Sequence, residues 1–241
     1  GIPYSYISPL AYLRTNIEGT YNILEASRYS KIDEIILTST SEIYGTAQYQ
    51  PIDENHPINP QSPYAASKVS ADHLGNSYYK SFDLPIKIAR PFNVFGPRQS
   101  QRAVIPTIIN QILNNKEVYI GNTNIIRDYT YVEDTVRGFE EVLKCKKLYG
   151  HTINIGSNNS IKINDIINLT SNYLNKNIRV IKDKKRIRPK KSEVLELVCD
   201  NSKLIKSTSW KNKIKFKNGL LKTIKWNQRN IKYTKNTIYY V

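Results

Sequence analysis

An α/β chain built on a mainly parallel sheet is the architecture this sequence points to. Short apolar runs alternate with segments whose apolar residues recur every three or four positions. The run that reads Glu34-Ile-Ile-Leu-Thr-Ser-Thr40 ends in hydroxyls, the pattern of a buried parallel strand whose carboxyl end opens into a site. The chain has 241 residues, 39% hydrophobic and 23% charged, enough for one large domain or two small ones with an ordinary core.

Taken in order, Ser8-Pro9 opens a helix over 9–28, with serine as the cap and proline in the first turn. Leu10, Leu13, Ile17, Tyr21 and Leu24 form its apolar stripe. A strand follows at 34–40, then a proline-marked loop over 51–63, a helix at 63–81 and a strand at 86–90 stopped by Pro91. Beyond it the pattern alternates: helix 106–113, strand 118–120, helix 133–143, strand 151–155, helix 164–174, strand 178–181 and a final helix 219–229. No internal repeat interrupts this order.

Composition excludes several classes. No run approaches the ~18 apolar residues of a membrane span, and the first 30 residues lack the order of a signal peptide. Cys145 and Cys199 stand far apart with no CxxC, and His56, His73 and His151 show no metal-ligand spacing. Neither a disulfide framework nor a metal is expected, and a reducing cytoplasm fits. No methionine occurs, so Gly1 is expected to be a trimmed start or an internal position of a longer protein. Net charge is +16 but segregated: up to residue 143 there are 12 Lys/Arg against 15 Asp/Glu, and beyond it 24 against 5. Such a basic half suits a solvated lysine face, an anionic small-molecule site or nucleic acid. Because 182–191 carries no interleaved aromatics, no nucleic-acid partner is expected.

Candidate chemistry concentrates between Thr38 and Arg98. Ser39, Thr40, Ser41 and Glu42 follow a strand's carboxyl end, where open α/β sheets bind ligands. Tyr64 and Lys68 lie four apart on a helix, so phenol and ammonium share a face. A nearby ammonium favours the phenolate, making Tyr64 a candidate base for an alcohol proton. The spacing alone is weak, and context has to decide.

In order, TSTSEIYG from Thr38, SPYAASK from Ser62, RPFNVFGPR from Arg90 and RDYTYVED from Arg127 resemble the extended short-chain dehydrogenase/reductase family, over the whole chain. TAQYQPIDENHPI and RPFNVFGPRQS are similar to the nucleotide-sugar 4,6-dehydratases, particularly the branch acting on nucleotide-activated N-acetylglucosamine toward legionaminic-type acids. Family members begin with a strand, a GxxGxxG turn and a helix that holds the cofactor pyrophosphate. No three of the ten glycines here fit that turn, so a C-terminal fragment is expected, and the fragment alone is expected to bind NAD weakly and to be inactive.

What the resemblance implies is specific by residue. Tyr64 would be the base at the sugar 4-hydroxyl, Lys68 would bind the nicotinamide ribose and tune Tyr64, and Thr40 would position the 4-oxygen. Glu42 would remove the C5 proton, and Ser41 stands where many dehydratases carry an aspartate acid. Ser39 and Pro91 would complete the NAD contact with Tyr64 and Lys68. Asn93, Arg98, Arg127 and Arg188 would bind the nucleotide diphosphate of the substrate, and Asn16 matches an asparagine near the active site. The implied organisation is a Rossmann-like doubly wound sheet lacking its first βαβ units, 1–92 with 127–156, and a nucleotide-sugar-binding unit, 93–126 with 157–241. A homodimer packing the helices 9–28 and 63–81 is implied as well. UDP-glucuronate decarboxylases share the TSE motif, and 4-epimerases share the fold, so both stay open as alternatives, as does a non-catalytic binding module.

Overall fold

The computed structural model describes residues 1–230. Its first layer is a three-stranded parallel sheet, β1 (Ile35–Thr38), β2 (Ile86–Pro91) and β6 (Thr152–Ile155), in the order β1-β2-β6. β2 and β6 are buried along nearly their whole length, and their polar members Lys87, Arg90 and Asn154 are buried with the isoleucines between them. The twenty-residue helix α4 (Pro63–Phe82) makes the crossover from β1 to β2. Its start is fixed by Ser62, whose hydroxyl accepts from the Ala65 amide at 3.1 Å, and by Pro63 in the first turn.

The N-terminal region departs from one continuous helix. α1 (Ile2–Ile7) and α2 (Pro9–Leu13) are broken at Ser8, whose side chain caps nothing. A π-helical turn, Arg14–Glu18, then joins α2 to α3 (Gly19–Ser30). The apolar spacing over 10–24 continues across the π-helical turn, so periodicity alone could not show the inserted residue. Of the expected stripe, Leu24 is buried while Leu10, Leu13 and Tyr21 are exposed.

A second set of strands lies beyond Pro91. β3 (Asn93–Phe95) pairs parallel with β5 (Ile126–Tyr131), which also takes β7 (Ser160–Lys162) antiparallel and β9 (Glu196–Leu197) parallel. The segment 127–131, grouped by sequence with the first unit, therefore hydrogen-bonds to strands of the second. β4 (Glu117–Ile120) pairs only with β8 (Arg179–Lys182). Helices α5 (Val104–Asn114), α7 (Ile163–Tyr173) and α9 (Phe216–Arg229) enclose one core with these strands. Ile105, Ile108, Ile109 and Ile112 of α5 are all buried there. Each such isoleucine stabilises the fold by roughly 1.5–3 kcal/mol relative to exposure. α6 (Val132–Lys144) packs on β2 and β6 from the other side, and α8 (Ser202–Ser207) covers β6. The parallel, helix-covered sheet has the α/β architecture expected from the sequence.

Candidate active site

The chain leaves β1 at Thr38 and enters a short 3₁₀ turn, Ser41–Tyr44, capped by Thr40. Thr40 is extended, and its hydroxyl oxygen accepts from the Glu42 amide at 3.3 Å. That leaves its proton free for the phenol oxygen of Tyr64, with which the Thr40 side chain is hydrogen-bonded. The turn closes on Gly45 at φ 63°, where an added Cβ would stand 2.1 Å from the Asn59 carbonyl oxygen, so only glycine fits.

Tyr64 and Lys68 share the face of α4 that meets this turn. Lys68 Nζ donates to the carbonyl of Thr38 at the end of β1. Burial pushes the Tyr64 phenol above its ordinary value; the Thr40 bond opposes this, and the neighbouring Glu42, Tyr12 and Asp72 add to it. Sequence reasoning expected Lys68 to draw the phenol downward. Its ammonium is instead committed to the Thr38 carbonyl, and its own affinity for a proton is lowered by burial and supported by Asp72. The edge of the Tyr12 ring packs against Tyr64 at a centroid separation of 5.9 Å. Asn16, in the π-helical turn, donates to Ser67 Oγ at 2.9 Å, and Ser67 donates in turn to the Tyr64 carbonyl at 2.7 Å.

Beside this cluster opens a cavity of about 490 Å³. Arg102, Arg127, Lys185, Arg186 and Arg188 line it, with Glu193 as the acidic member. Arg188 joins cavity to cluster: its Nη1 lies 3.7 Å from Glu42 Oε2, and its Nε 4.0 Å from Glu193 Oε1. Arg127 is buried on β5 and donates to the carbonyls of Ile126 and Val194 at 2.9 and 2.6 Å. Asp128 does not pair with it, being taken up by Ser157, Asn158 and Cys199. Asn93 lines the cavity with a buried, unpartnered Oδ1. Two neighbouring guanidiniums suit a paired phosphate.

The structure gathers Thr40, Ser41, Glu42, Tyr64 and Lys68 in one place, and Asn93, Arg127 and Arg188 in the adjoining cavity. Ser39 and Pro91 end the neighbouring strands, but the Ser39 hydroxyl is bound to Asp72 at 2.7 Å. Arg98 stands apart, exposed in the turn after β3 at φ 65°, outside the cavity lining. Arg102, four residues on, takes a place there that sequence reasoning had not assigned. Lys185 and Arg186 were visible only as members of a basic run. Arg90 is visible in the sequence only as the first residue of the RPFNVFGPR motif, and Asp72 is not marked at all, although it continues the four-residue spacing of Tyr64 and Lys68.

The family model described as GDP-mannose 4,6 dehydratase matches residues 1–223. The dTDP-D-glucose 4,6-dehydratase of Dictyostelium discoideum is 37% identical over 174 residues, 67% of this chain and 40% of its own length. Among solved structures, the DesIV dTDP-glucose 4,6-dehydratase of Streptomyces venezuelae, with NAD and TYD bound, superposes with a TM-score of 0.88. At 24% identity, over 97% of this chain and 71% of that one, it speaks for the fold. The UDP-glucuronic acid 4-epimerase of Bacillus cereus, in complex with UDP-glucuronic acid and NAD, is 31% identical with a TM-score of 0.84, over 90% and 68% of the two chains. The chain thus spans well under half of the first of these relatives and about seven-tenths of the two solved chains. With the family match running through both the Tyr64 cluster and the arginine-lined cavity, the chain belongs to the GDP-mannose 4,6 dehydratase family, within the extended short-chain dehydrogenase/reductases that comprise nucleotide-sugar dehydratases and epimerases.

Proposed function

We propose that the protein is an NAD-dependent nucleotide-sugar 4,6-dehydratase. The observation that carries this reading is the carboxylate of Glu42, two residues beyond Thr40 in the turn that Thr40 caps, close to Tyr64 and 3.7 Å from a cavity arginine. A base for a hydroxyl and a carboxylate for a carbon acid then face the same sugar, whose diphosphate lies among Arg127, Arg188 and their neighbours. Asn93 offers its unpartnered amide oxygen to that ligand.

The residues at the strand ends suit the nicotinamide end of NAD: Tyr64 and Lys68 lie one helical turn apart beside the carboxyl ends of β1 and β2. When bound, NAD supplies the acceptor for the hydrogen leaving C4 and returns it at C6. Tyr64 takes the proton of the 4-hydroxyl, with Thr40 holding the oxygen. The carbonyl formed at C4 acidifies the C5 hydrogen, Glu42 removes it as a proton, and the 6-hydroxyl departs as water. The protons gained by Tyr64 and Glu42 balance the one that leaves in the water and the one returned to C5. Ser41, buried beside Glu42, stands where a carboxylic acid would otherwise protonate that leaving group.

The sugar that the sequence motifs favour is nucleotide-activated N-acetylglucosamine. The division into 1–92 with 127–156 and 93–126 with 157–241 belongs to the same proposal, with the strand at 127–131 pairing across it, as does a homodimer. Exposed Leu10, Leu13, Tyr21 and Ile23 on the N-terminal helices and Phe82 at the end of α4 support the dimer. Relatives that are 4-epimerases favour a second reading, in which C4 is oxidised and reduced with no loss of water. Mass analysis of products from the full-length enzyme with several nucleotide sugars tests the two. Loss of one water supports dehydration, an unchanged mass supports epimerisation, and loss of carbon dioxide from a glucuronate would overturn both.

A further inference from the structure

Asp72 sits on α4 one turn beyond Lys68 and two beyond Tyr64, and it is almost wholly buried. Its Oδ2 accepts from Ser39 Oγ at 2.7 Å and from Nε and Nη2 of Arg90, each at 3.1 Å. Ser39 is the residue between β1 and Thr40, and its amide donates to the Ala89 carbonyl on β2 at 2.7 Å. Arg90 lies on β2 and reaches on to the Tyr44 hydroxyl at 3.0 Å, which itself donates to Asn154 on β6 at 2.8 Å. One carboxylate therefore connects the helix that carries Tyr64 and Lys68 with the strand end that carries Thr40.

We propose that Asp72 is a positioning residue for the oxidation step: by tying the helix that carries Tyr64 and Lys68 to the strand end that carries Thr40, it fixes their separation. The proposal rests on the dehydratase reading of this site. A charge buried to this degree, with an arginine partner and a serine donor, is costly to build for packing alone, since an apolar pair of similar volume stabilises a core at least as well. Its value lies in geometry and field. The charged and titratable groups around Tyr64 are Glu42 from the turn after β1, Tyr12 from α2, and Asp72 from its own helix. Around Lys68 it is Asp72, which in turn faces Arg90. Removing the negative charge favours the phenolate of Tyr64 and disfavours the ammonium of Lys68, so both transitions move to lower pH.

The test is Asp72→Asn in the full-length enzyme, alongside Asp72→Glu. For Asp72→Asn we expect kcat lower by about tenfold or more with KM for the nucleotide sugar little changed. Both limbs of its kcat–pH profile should move to lower pH, whereas Asp72→Glu, which keeps the charge, should leave the limbs in place. A profile for Asp72→Asn that superposes on the wild type after scaling overturns the proposal. Should Asp72→Asn fail to fold, Ser39→Ala removes the strand-side tie alone. It should speed amide hydrogen exchange over 62–68 and lower kcat, and an unchanged exchange rate with unchanged kcat overturns the proposal. A wild-type enzyme that oxidises no nucleotide sugar would instead refute the dehydratase reading, so the two failures are told apart.

Discussion

At Tyr64 the same burial that raises the phenol's affinity for a proton also shields the reacting oxygen from water, and the Thr40 hydroxyl supplies the countering bond. On the proposed reading Tyr64 acts as a phenolate, so activity should rise with pH through the Tyr64 transition. Replacing Tyr64 by Phe keeps the ring against Tyr12 and removes the acid/base oxygen. Hydride transfer should fall at least ~10²-fold with substrate affinity little altered, the usual scale for a positioned acid/base. Single-turnover absorbance of the reduced cofactor measures this, and a near-normal rate would make Tyr64 a packing residue. Glu42 and Tyr64 were legible because a motif surrounds each. Asp72 was not: its partners lie 33 and 18 positions away, and nothing local marks a helix aspartate as buried.

Among the elements, β2 is held at its start by an ion pair whose lysine is buried and whose glutamate is half-buried. Lys87, fully buried, donates to Glu34 Oε2 at 2.8 Å and to the Leu143 carbonyl at 2.7 Å, with the Tyr149 ring 4.4 Å away. Glu34 also accepts from the Tyr149 hydroxyl. Although partial burial opposes it, the bonds from Lys87 and Tyr149 hold the Glu34 carboxyl below its ordinary value. A depressed carboxylate contributes stability that is present above its unfolded value, about 4.3, and is lost as pH falls through the lower folded one. Glu34→Gln should therefore cost about 2 kcal/mol at neutral pH, by leaving the Lys87 charge poorly compensated, and progressively less in acid. Urea denaturation at pH 7 and pH 3 checks both, and equal midpoints for variant and wild type at pH 7 would refute it. The long element α4 was legible for a reason that holds in the structure, its Ser62-Pro63 start, and β2 from the proline that closes it. β5 was not, because Arg127, Asp128 and Thr130 interrupt the apolar pattern, and only tertiary partners make their burial possible. β7 and β9, three and two residues long, carry too little pattern to be seen.

Over the whole molecule, the segregated charge finds part of its reason in the cavity, where Lys185, Arg186 and Arg188 from the basic half meet Arg102 and Arg127 from the other. Most of the remaining lysines lie on exposed positions, where they cost little. The exposed apolar side chains of the N-terminal helices predict a dimer, so Leu10→Asp combined with Ile23→Asp should shift sedimentation of the full-length protein to that of a monomer. A wild type that sediments as a monomer at micromolar concentration would refute the dimer. Glu42 matters most to the proposed dehydration, because its carboxylate separates that reaction from epimerisation. In full-length Glu42→Gln, oxidation at C4 should survive and elimination should stop. Bound reduced cofactor should then accumulate, and the C5 hydrogen should cease to exchange with deuterated solvent. Conversion to a product one water lighter at the wild-type rate would contradict the central claim.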